Sequence, residues 1–374
     1  MRDVVILGVG MTNFGRFPDT PYYKLGADAI LEALGDAGVE WKDIPVVYCA
    51  NVNNGHCPGE MVEAELGHTG IPVINIQNAC ASGQTACLMA YQAIASGAYD
   101  IVLTLGVEQM PRGPVVGMPP TPSMLMGADS FVGKYAMKMQ RAVYEGRYTL
   151  DQMAKVSVKN HKNACYNPRS QYKLDLTVQD IHNSRVIAYP LTLYHCCPSS
   201  EGAAALVLCS EKVARKYASP PFIKMAGGAL RSQTFVRGDP ADTHEITMNT
   251  AKEAYEKTGI SPEDINIVEL HDNFTISELE HCEELGLCGE GEGGKLIDEG
   301  ATEITGRIPV STSGGLLGKG HPMAATGVAQ VCEIVWQMKG QAGQRQIKAI
   351  PKVGLSNCNG GDQGMACGVV IIKK

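Results

Sequence analysis

The chain has 374 residues, of which 44% are hydrophobic and 19% are charged, so it can bury a large core and gives no reason to expect long disordered tracts. Its net charge of −7, with no run of basic residues, argues against nucleic acid or an anionic membrane surface as the main partner. No signal-peptide pattern and no apolar stretch of about 18–20 residues occurs, so we expect a cytoplasmic protein whose 13 cysteines are mostly reduced and buried.

The first candidate functional residue is Cys80, at a predicted junction between a strand and a helix. Residues 71–76 predict a short buried strand, and residues 81–96 predict an alanine-rich helix. The unpaired N–H groups and the dipole of a helix N-terminus favour a thiolate, which is the setting of a nucleophile. The alternative is a small buried apolar side chain, which describes most cysteines.

An internal repeat indicates duplication. Residues 33–44 lie without gaps over residues 254–265, and in each copy a predicted helix ends at a glycine before an apolar strand. Each half later carries a helix rich in glycine and alanine behind a potentially reactive residue, Cys80 or His321. We predict two similar α/β halves with mainly parallel, buried sheets, formed by residues 1–109 with 196–215 and by residues 216–374.

Residues 110–195 interrupt this pattern and predict an inserted loop domain with helices at about 137–147 and 150–163. The insertion is rich in methionine, which suits an adaptable apolar pocket wall but also suits core filling. The residues concerned are Met110, Met118, Met124, Met126, Met137, Met139 and Met153.

Three further candidates lie in the second half. His271 follows a predicted strand at 265–270, and the carboxyl ends of such strands form the ligand-binding edge of an open α/β sheet. His321 lies in a glycine-rich loop, with Pro322 suited to the first turn of the next helix. Cys358 is predicted to end the strand that begins with residues 353–356 and to begin a glycine turn before a strand at 368–372.

Together these segments resemble the thiolase superfamily over essentially the whole chain. The resemblance rests on Ala-Cys-Ala-Ser-Gly around Cys80, on residues 200–205, on the Gly-His-Pro loop at 314–322 with 324–327, and on Cys-x-Gly-Gly-x-x-Gly from Cys358. It implies a duplicated five-layer α-β-α-β-α fold with the inserted loop domain.

The resemblance also implies a role for each site residue. Cys80 carries an acyl group as a thioester, His321 takes its proton, and Cys358 is the general acid/base at the α-carbon of the acyl-CoA. His271 and His321 help to stabilise the thioester enolate, with Asn273 and Gly360 supporting the oxyanion. Coenzyme A is the cosubstrate, no permanently bound cofactor or metal is implied, and the residues that contact coenzyme A are not identified.

One motif departs from the family pattern. Classical thiolases carry Asn-Glu-Ala-Phe where this chain has residues 271–274, and the sterol-carrier-protein type resembles His-Asp-Cys-Phe with a catalytic cysteine. This chain has His-Asp-Asn-Phe and retains Cys358, so we interpret the acid/base cysteine as relocated. If Cys358 instead points into the core, the site lacks an acid and thiolysis fails.

The expected activity is cleavage or formation of a 3-oxoacyl-CoA. The mixed motifs and the insertion resemble those of benzoylsuccinyl-CoA thiolases, and this resemblance implies an aryl substrate such as benzoylsuccinyl-CoA, cleaved to benzoyl-CoA and succinyl-CoA. The alternatives are acetoacetyl-CoA or a medium-chain 3-oxoacyl-CoA, a ketosynthase-like condensing enzyme, or a non-catalytic scaffold. The resemblance to the sterol-carrier and archaeal types, which often work with a small zinc-ribbon/OB-fold protein, implies a homodimeric core with such a protein as a separate subunit. The cations that could meet a substrate carboxylate are Arg112, Lys134, Arg141 and Arg147.

Overall fold

The computed structural model describes residues 2–111, 122–126, 130–234, 244–361 and 365–374. Its strands are β1 (Val4–Met11), β2 (Val47–Ala50), β3 (Val73–Ile76), β4 (Ile101–Gln109), β5 (Val186–Ala188), β6 (Leu191–Thr192), β7 (Glu201–Ser210), β8 (Lys224–Ser232), β9 (Ile267–Glu269), β10 (Val353–Gly360) and β11 (Ala366–Lys373). Its helices are α1 (Tyr22–Ala37), α2 (Pro58–Leu66), α3 (Ser82–Ala95), α4 (Pro122–Leu125), α5 (Phe131–Tyr144), α6 (Leu150–Tyr166), α7 (Val178–Asn183), α8 (Glu211–Ala214), α9 (His244–Thr258), α10 (Thr275–Glu284), α11 (Gly293–Asp298) and α12 (Met323–Lys339).

Nine of these strands form one hydrogen-bonded array in the order β3-β2-β4-β7-β1-β8-β11-β10-β9. The first five strands belong to the first half and the last four to the second. In the described residues, the two groups are joined where Val4 and Val5 of β1 pair with the start of β8. The array is mixed, so the prediction of mainly parallel sheets is wrong. β7 returns beside β4 after the long insertion, and β11 turns back on β10, so neither strand arrives through the helical crossover that parallel pairing requires.

The two groups of strands stack as layers with helices between and outside them. In the centre, α12 contacts β4 and β7 on one side and β9 and β10 on the other, while α3 contacts β2 and β4 as well as β8 and β11. On the outer faces, α1 covers β1 and β7, and α9 covers β8 and β11. The large apolar core between the sheets draws residues from both halves. This order of layers confirms the predicted five-layer α-β-α-β-α fold.

The sequence repeat corresponds to one repeated structural unit. Helix α1 ends at Gly38 with φ 67°, and α9 ends at Gly259 with φ 66°, a left-handed conformation that favours glycine. Each glycine is followed by a single 3₁₀ turn and then by a strand, β2 or β9. Duplication therefore accounts for both the sequence match and the shared geometry, while the exact domain boundaries stay a prediction.

The described part of the insertion has its own small core, packed against the second half. Helices α5 and α6 are longer than predicted, and Met139 and Met153 are buried with Phe274 of the loop before α10. Met126 and Met137 are exposed instead. Met118 and the side chain of Met124 lie outside the described residues. Within the described ranges, no helix is both long and apolar enough to cross a bilayer.

Candidate active site

Cys80 lies in a tight turn between β3 and α3. The strand before it is shorter than predicted and only partly buried, because β3 is an edge strand that pairs only with β2. Ala79 adopts φ 48°, and the Ser82 hydroxyl holds the turn by donating to the Ala79 carbonyl at 2.6 Å and accepting from the Asn78 N–H at 2.8 Å. The turn thus fixes the thiol just before the first residue of α3.

The Cys80 thiol faces an imidazole from the other half of the chain. Its Sγ lies 3.3 Å from Nε2 of His321. The Thr326 hydroxyl lies 2.8 Å from Nδ1 of the same ring and donates its one proton to the Pro322 carbonyl at 3.0 Å. Thr326 must therefore accept from Nδ1–H, which leaves a lone pair on Nε2. This tautomer is the one that can take a proton from Cys80.

Burial keeps this pair neutral at rest. Burial raises the pKa of the Cys80 thiol to about 12, and the charge of Glu108 adds to the rise. Burial also lowers the pKa of His321 to about 3, with a further contribution from the positive charge of Lys319. The expectation of a resting thiolate at a helix N-terminus is therefore wrong, because desolvation outweighs the helix dipole here. A thiolate on Cys80 therefore requires a base, and Nε2 of His321 is in contact with the sulfur.

A second thiol–imidazole pair lies beside the first. Nδ1 of His271 is 3.1 Å from Sγ of Cys358, whose thiol donates to the Cys80 carbonyl at 2.9 Å. Cys358 therefore points toward Cys80 and not away into the core. The sequence predicted that the strand ends at Cys358. In the structure, β10 continues beyond Cys358 to Gly360. The His271 and His321 rings are 5.2 Å apart, at 77° to each other.

Each member of this second pair is also neutral at rest. Burial lowers the pKa of His271 well below its usual range, helped by the charges of His321 and His281. Burial raises the pKa of Cys358 well above its usual range, helped by Cys80. The neutral His271 ring has one N–H, and it points at the sulfur that is already donating its own proton to Cys80. His271 is thus arranged to stabilise a thiolate on Cys358.

Asp272 holds the loop that carries His321. Its buried carboxylate accepts from the backbone N–H groups of Leu316 and Leu317 at 2.8 and 3.3 Å, and from the Asn160 side chain at 2.7 Å. The loop approaches so closely that a Cβ on Gly315 would lie 2.1 Å from this carboxylate. Burial raises the pKa of Asp272 to about 7, with the charge of Glu278 as the next cause. The His-Asp-Asn-Phe motif therefore positions both imidazoles.

Two predicted support residues flank the cysteines. The Asn273 side-chain oxygen accepts from the Phe274 N–H and the Ser277 hydroxyl, so its NH₂ group is turned toward the Tyr135 hydroxyl, 3.0 Å away. Gly360 lies against the Cys80 turn, where a Cβ would be 2.1 Å from the Asn78 carbonyl oxygen. Asn273 can therefore donate into the pocket, and Gly360 lets β10 bring Cys358 close to Cys80.

Ser200 connects the insertion to the loop that carries His321 through two hydrogen bonds. Its hydroxyl accepts from the His321 N–H at 2.9 Å and donates to the Gln171 side chain at 2.6 Å. The sequence singled out Ser200 and Thr326 only as parts of motifs. The signal for Thr326 was its place in the first turn of the helix that follows His321.

A pocket opens from Cys80 toward α5. Its wall includes Phe131, Tyr135 and Lys138, which the sequence analysis missed although their i, i+4, i+7 spacing places them on one face of a helix. The ring of Tyr135 stacks on Phe274 with centroids 4.0 Å apart. Among the described residues, none of the methionines that were predicted to line the pocket belongs to this wall. The full lining is Cys80, Phe131, Tyr135, Lys138, His271, Asn273, Ser277, His281, Asn359 and Gly361.

Among the residues that the structure describes, none of the predicted carboxylate-binding cations lines this pocket. Arg141 and Arg147 each bind Glu145, and Lys134 is absent from the wall. Arg112 lies outside the described residues. The cation in the wall is Lys138, whose Nζ lies 2.5 Å from Glu280. A larger cleft of about 530 Å³ lies between α6 and α11, but none of the predicted catalytic residues lines it.

Comparison with known proteins agrees with this geometry. The family model for the thiolase N-terminal domain matches residues 4–212, and the model for the thiolase C-terminal domain matches residues 229–374. The chain is 39% identical to an acetyl-CoA acetyltransferase of Methanothermobacter thermautotrophicus, covering 98% of each sequence. It is 38% identical to the benzoylsuccinyl-CoA thiolase subunit BbsB of Thauera aromatica, covering 96% of this chain and 95% of the relative.

The fold also matches a solved structure. The chain superimposes on a chain from the Ltp2-ChsH2(DUF35) aldolase with a TM-score of 0.85 at 24% identity, covering 99% of this chain and 98% of the other. At 24% identity, this match shows similarity of fold alone. The family models and the two relatives establish more: the chain belongs to the thiolase family, and it is an acyltransferase of the thiolase type.

Proposed function

We propose that the chain cleaves a 3-oxoacyl-CoA by CoA-dependent thiolysis, or forms one in reverse, through an acyl thioester on Cys80. The observation that carries this proposal is the contact of 3.3 Å between Cys80 Sγ and the unprotonated Nε2 of His321. A nucleophile beside a base of fixed tautomer is the arrangement that covalent acyl transfer requires.

The first half-reaction uses both thiol–imidazole pairs. Nε2 of His321 takes the Cys80 proton, and the sulfur attacks the 3-oxo carbonyl. The bond between the α- and β-carbons breaks, and its electron pair forms a thioester enolate. Cys358 gives its proton to the α-carbon and becomes a thiolate, which the Nδ1–H of His271 stabilises at 3.1 Å. The products of this step are an acyl-CoA and an acyl thioester on Cys80.

The second half-reaction restores the enzyme. The Cys358 thiolate takes the proton of the CoA thiol, whose sulfur attacks the acyl thioester. Cys80 leaves as a thiolate and regains its proton from His321. Every proton is returned and no electron is gained or lost, so the cycle requires no redox cofactor.

The enolate oxygen requires hydrogen-bond donors whose N–H groups are not already directed at another acceptor. The single N–H of neutral His271 is directed at Cys358, so we assign His271 to that sulfur and not to the enolate. Asn273 still offers an N–H to the pocket, and His321 gains an Nε2–H once it has taken the Cys80 proton. The sequence led us to expect His271, His321, Asn273 and Gly360 around the enolate, and of these we propose Asn273 and His321 as the donors to its oxygen.

An aryl acyl group is the substrate that the pocket wall favours. Phe131 and Tyr135 present aromatic rings beside Cys80, and aromatic pairs gain about 0.5–1.5 kcal/mol beyond the area they bury. Lys138 brings a positive charge to the same wall, where it is shared with Glu280. Benzoylsuccinyl-CoA has both an aryl ketone and a second carboxylate, and a relative at 38% identity is named for that substrate.

Acetoacetyl-CoA is the second candidate substrate. A relative at 39% identity is named acetyl-CoA acetyltransferase, and the two relatives therefore do not decide between the substrates.

The test is CoA-dependent cleavage of benzoylsuccinyl-, acetoacetyl- and 3-oxooctanoyl-CoA by the wild type and three variants. We expect the highest kcat/KM for benzoylsuccinyl-CoA, no turnover by Cys80→Ala, and a loss of about 10²–10⁴-fold for Cys358→Ala. Cys57→Ala, which removes an exposed thiol, is the matched control. Preference for acetoacetyl-CoA would overturn the aryl substrate, and full thiolysis by Cys358→Ala would overturn the role of Cys358 and favour a ketosynthase-like mechanism.

We further propose a homodimeric core that binds a small zinc-ribbon/OB-fold subunit. The relative from Thauera is named as a subunit, and the aldolase with the same fold pairs its chain with a DUF35 protein. Apolar side chains on α5, on β5 and in the turn after β5 are exposed, among them Tyr144, Val186 and Tyr189. Light scattering of the chain, alone and co-expressed with the zinc-ribbon protein of its native operon, should give a dimer and a larger complex. A monomer without association would refute this assembly.

A further inference from the structure

The pocket brings together three side chains that are good ligands for a thiophilic metal. One coordinating atom each of Cys80, His271 and His321 lies within 4.8 Å of the other two. In tetrahedral zinc sites the metal lies about 2.3 Å from sulfur and about 2.0–2.1 Å from nitrogen, which places the ligand atoms about 3.4–3.6 Å apart. The Cys80–His321 separation of 3.3 Å is close to that spacing, and His271, whose ligand atom lies within 4.8 Å of the other two, must move closer to complete the site.

In both His271 and His321, Nδ1 already has a hydrogen-bond partner, which leaves Nε2 for a metal ion. Nδ1 of His321 bonds to Thr326 at 2.8 Å, and Nδ1 of His271 bonds to Cys358 at 3.1 Å. Metal-binding histidines almost always have such a partner on the nitrogen that does not bind the metal. Each ring therefore offers Nε2 to a metal ion.

We infer that Cys80, His271 and His321 form an inhibitory Zn²⁺ site, with a fourth coordination position open to the acyl pocket. Three protein ligands and one open position are the pattern of accessible zinc sites. The open position takes a water molecule or the thiol of coenzyme A. The ion is an inhibitor and not a resident cofactor, because the proposed thiolysis uses the free Cys80 sulfur as its nucleophile.

Binding exchanges a proton for the metal. The Cys80 thiol loses its proton, the sulfur forms a bond to Zn²⁺, and one proton per bound ion is released to solvent. No oxidation or reduction takes place, so a chelator reverses the inhibition. Acylation of the same sulfur removes the ligand, so zinc and the acyl substrate compete for Cys80.

Metal binding can be measured without turnover by titrating Co²⁺ into the metal-free full-length chain. We expect one equivalent to produce a thiolate-to-cobalt charge-transfer band together with the visible absorption of a tetrahedral ion. Cys80→Ala should lose the charge-transfer band, while His271→Ala and His321→Ala should weaken binding by at least about tenfold. Cys57→Ala, the control with an exposed thiol removed, should titrate like the wild type.

A second readout follows Cys80 directly. One equivalent of Zn²⁺ should slow alkylation of Cys80 by iodoacetamide, measured by mass spectrometry, and a chelator should restore it. Circular dichroism and thermal melting confirm that each variant is folded. The site is refuted if Cys80→Ala retains the charge-transfer band, if no stoichiometric binding occurs, or if Zn²⁺ leaves the alkylation rate unchanged.

The two proposals fail separately. An inactive protein that binds Co²⁺ through Cys80 would refute the thiolase reaction and keep the metal site. An active thiolase that Zn²⁺ neither binds nor inhibits would refute the metal site and keep the reaction.

Discussion

Thr326 controls which nitrogen of His321 faces Cys80. Because its hydroxyl donates to Pro322, it must accept from Nδ1–H and so leaves Nε2 free to take the thiol proton. Thr326→Val keeps the shape and removes the acceptor. We expect kcat/KM to fall by about tenfold to a hundredfold, the lower part of the range for general base catalysis.

Thr326→Ser is the matched control, because it retains the hydroxyl and should keep most of the activity. Steady-state kinetics across pH, with thermal melting to check the fold, would measure both variants. Equal activity of Thr326→Val and wild type would show that the tautomer of His321 is set by something else.

At the scale of single residues, the sequence could predict which side chains meet but not their protonation. Cys80, His271, His321 and Cys358 were each identified from a motif, and the structure brings them together. Their charge states could not be predicted in the same way, because desolvation depends on everything that surrounds a group. Tyr135 was missed for a related reason: its contact with Asn273 joins two segments that are distant in sequence.

The central helices α3 and α12 meet at a pair of glycines. A Cβ on Gly327 would lie 2.6 Å from the Gln84 backbone nitrogen, and one on Gly83 would lie 2.7 Å from the Ala324 carbonyl oxygen. Since Cys80 and His321 precede these helices, the helix separation sets the distance between thiol and base. Gly327→Ala should cost about 1–3 kcal/mol of stability by overpacking, and lower kcat by up to about 10²-fold by displacing the pair.

The matched control is Gly35→Ala in α1, where a Cβ meets nothing within 4 Å. It should leave activity unchanged and stabilise the chain by about 0.5–1 kcal/mol, because alanine favours a helix interior. Urea unfolding and steady-state kinetics would compare the two variants. If Gly327→Ala were as stable and active as Gly35→Ala, the contact between the helices would not control the site.

At the scale of elements, the periodic segments were predictable and the strand ends were not. The helix after Cys80 was predicted at 81–96 and is observed at Ser82–Ala95. The strand that begins at 353 was predicted to end at Cys358, yet β10 continues to Gly360 because β11 pairs with it along its whole length. Pairing with a partner strand is a tertiary effect, which the local sequence does not encode.

Buried neutral histidines make the whole molecule sensitive to acid. His195 is buried against the Thr275 hydroxyl at 2.8 Å, and burial lowers its pKa to about 4, with the charge of His182 as a further cause. As pH falls through about 6.5, His195 is protonated in the unfolded chain but stays neutral in the folded chain. Stability is therefore lost between about pH 6.5 and 4, and His195 alone accounts for about 2 kcal/mol between pH 7.5 and 5.

His195→Asn should reduce this loss, because asparagine can still bond to Thr275 and does not titrate. Urea unfolding at pH 7.5 and 5 would compare wild type, His195→Asn and His56→Asn, the last changing an exposed histidine. The same acid-induced loss in wild type and His195→Asn would show that His195 does not contribute to it.

At the scale of the whole molecule, the duplication could be predicted and the strand directions could not. The match of residues 33–44 with 254–265 predicted two related halves, and both copies form the same helix–glycine–strand unit. Strand direction depends on where each strand pairs, and β7 pairs only after an insertion whose route the sequence does not specify. The local pattern of helices and short apolar runs was therefore right while the prediction of parallel pairing was wrong.

The position of β11 has a consequence for how the protein is made. This strand lies between β8 and β10 in the interior of the array, and β10 carries Cys358. The second sheet cannot be completed during synthesis until residues 366–373 have left the ribosomal exit tunnel. Until then, β10 lacks the neighbouring strand that helps to place Cys358 beside Cys80. Interrupted translation should therefore leave the second sheet without its interior strand.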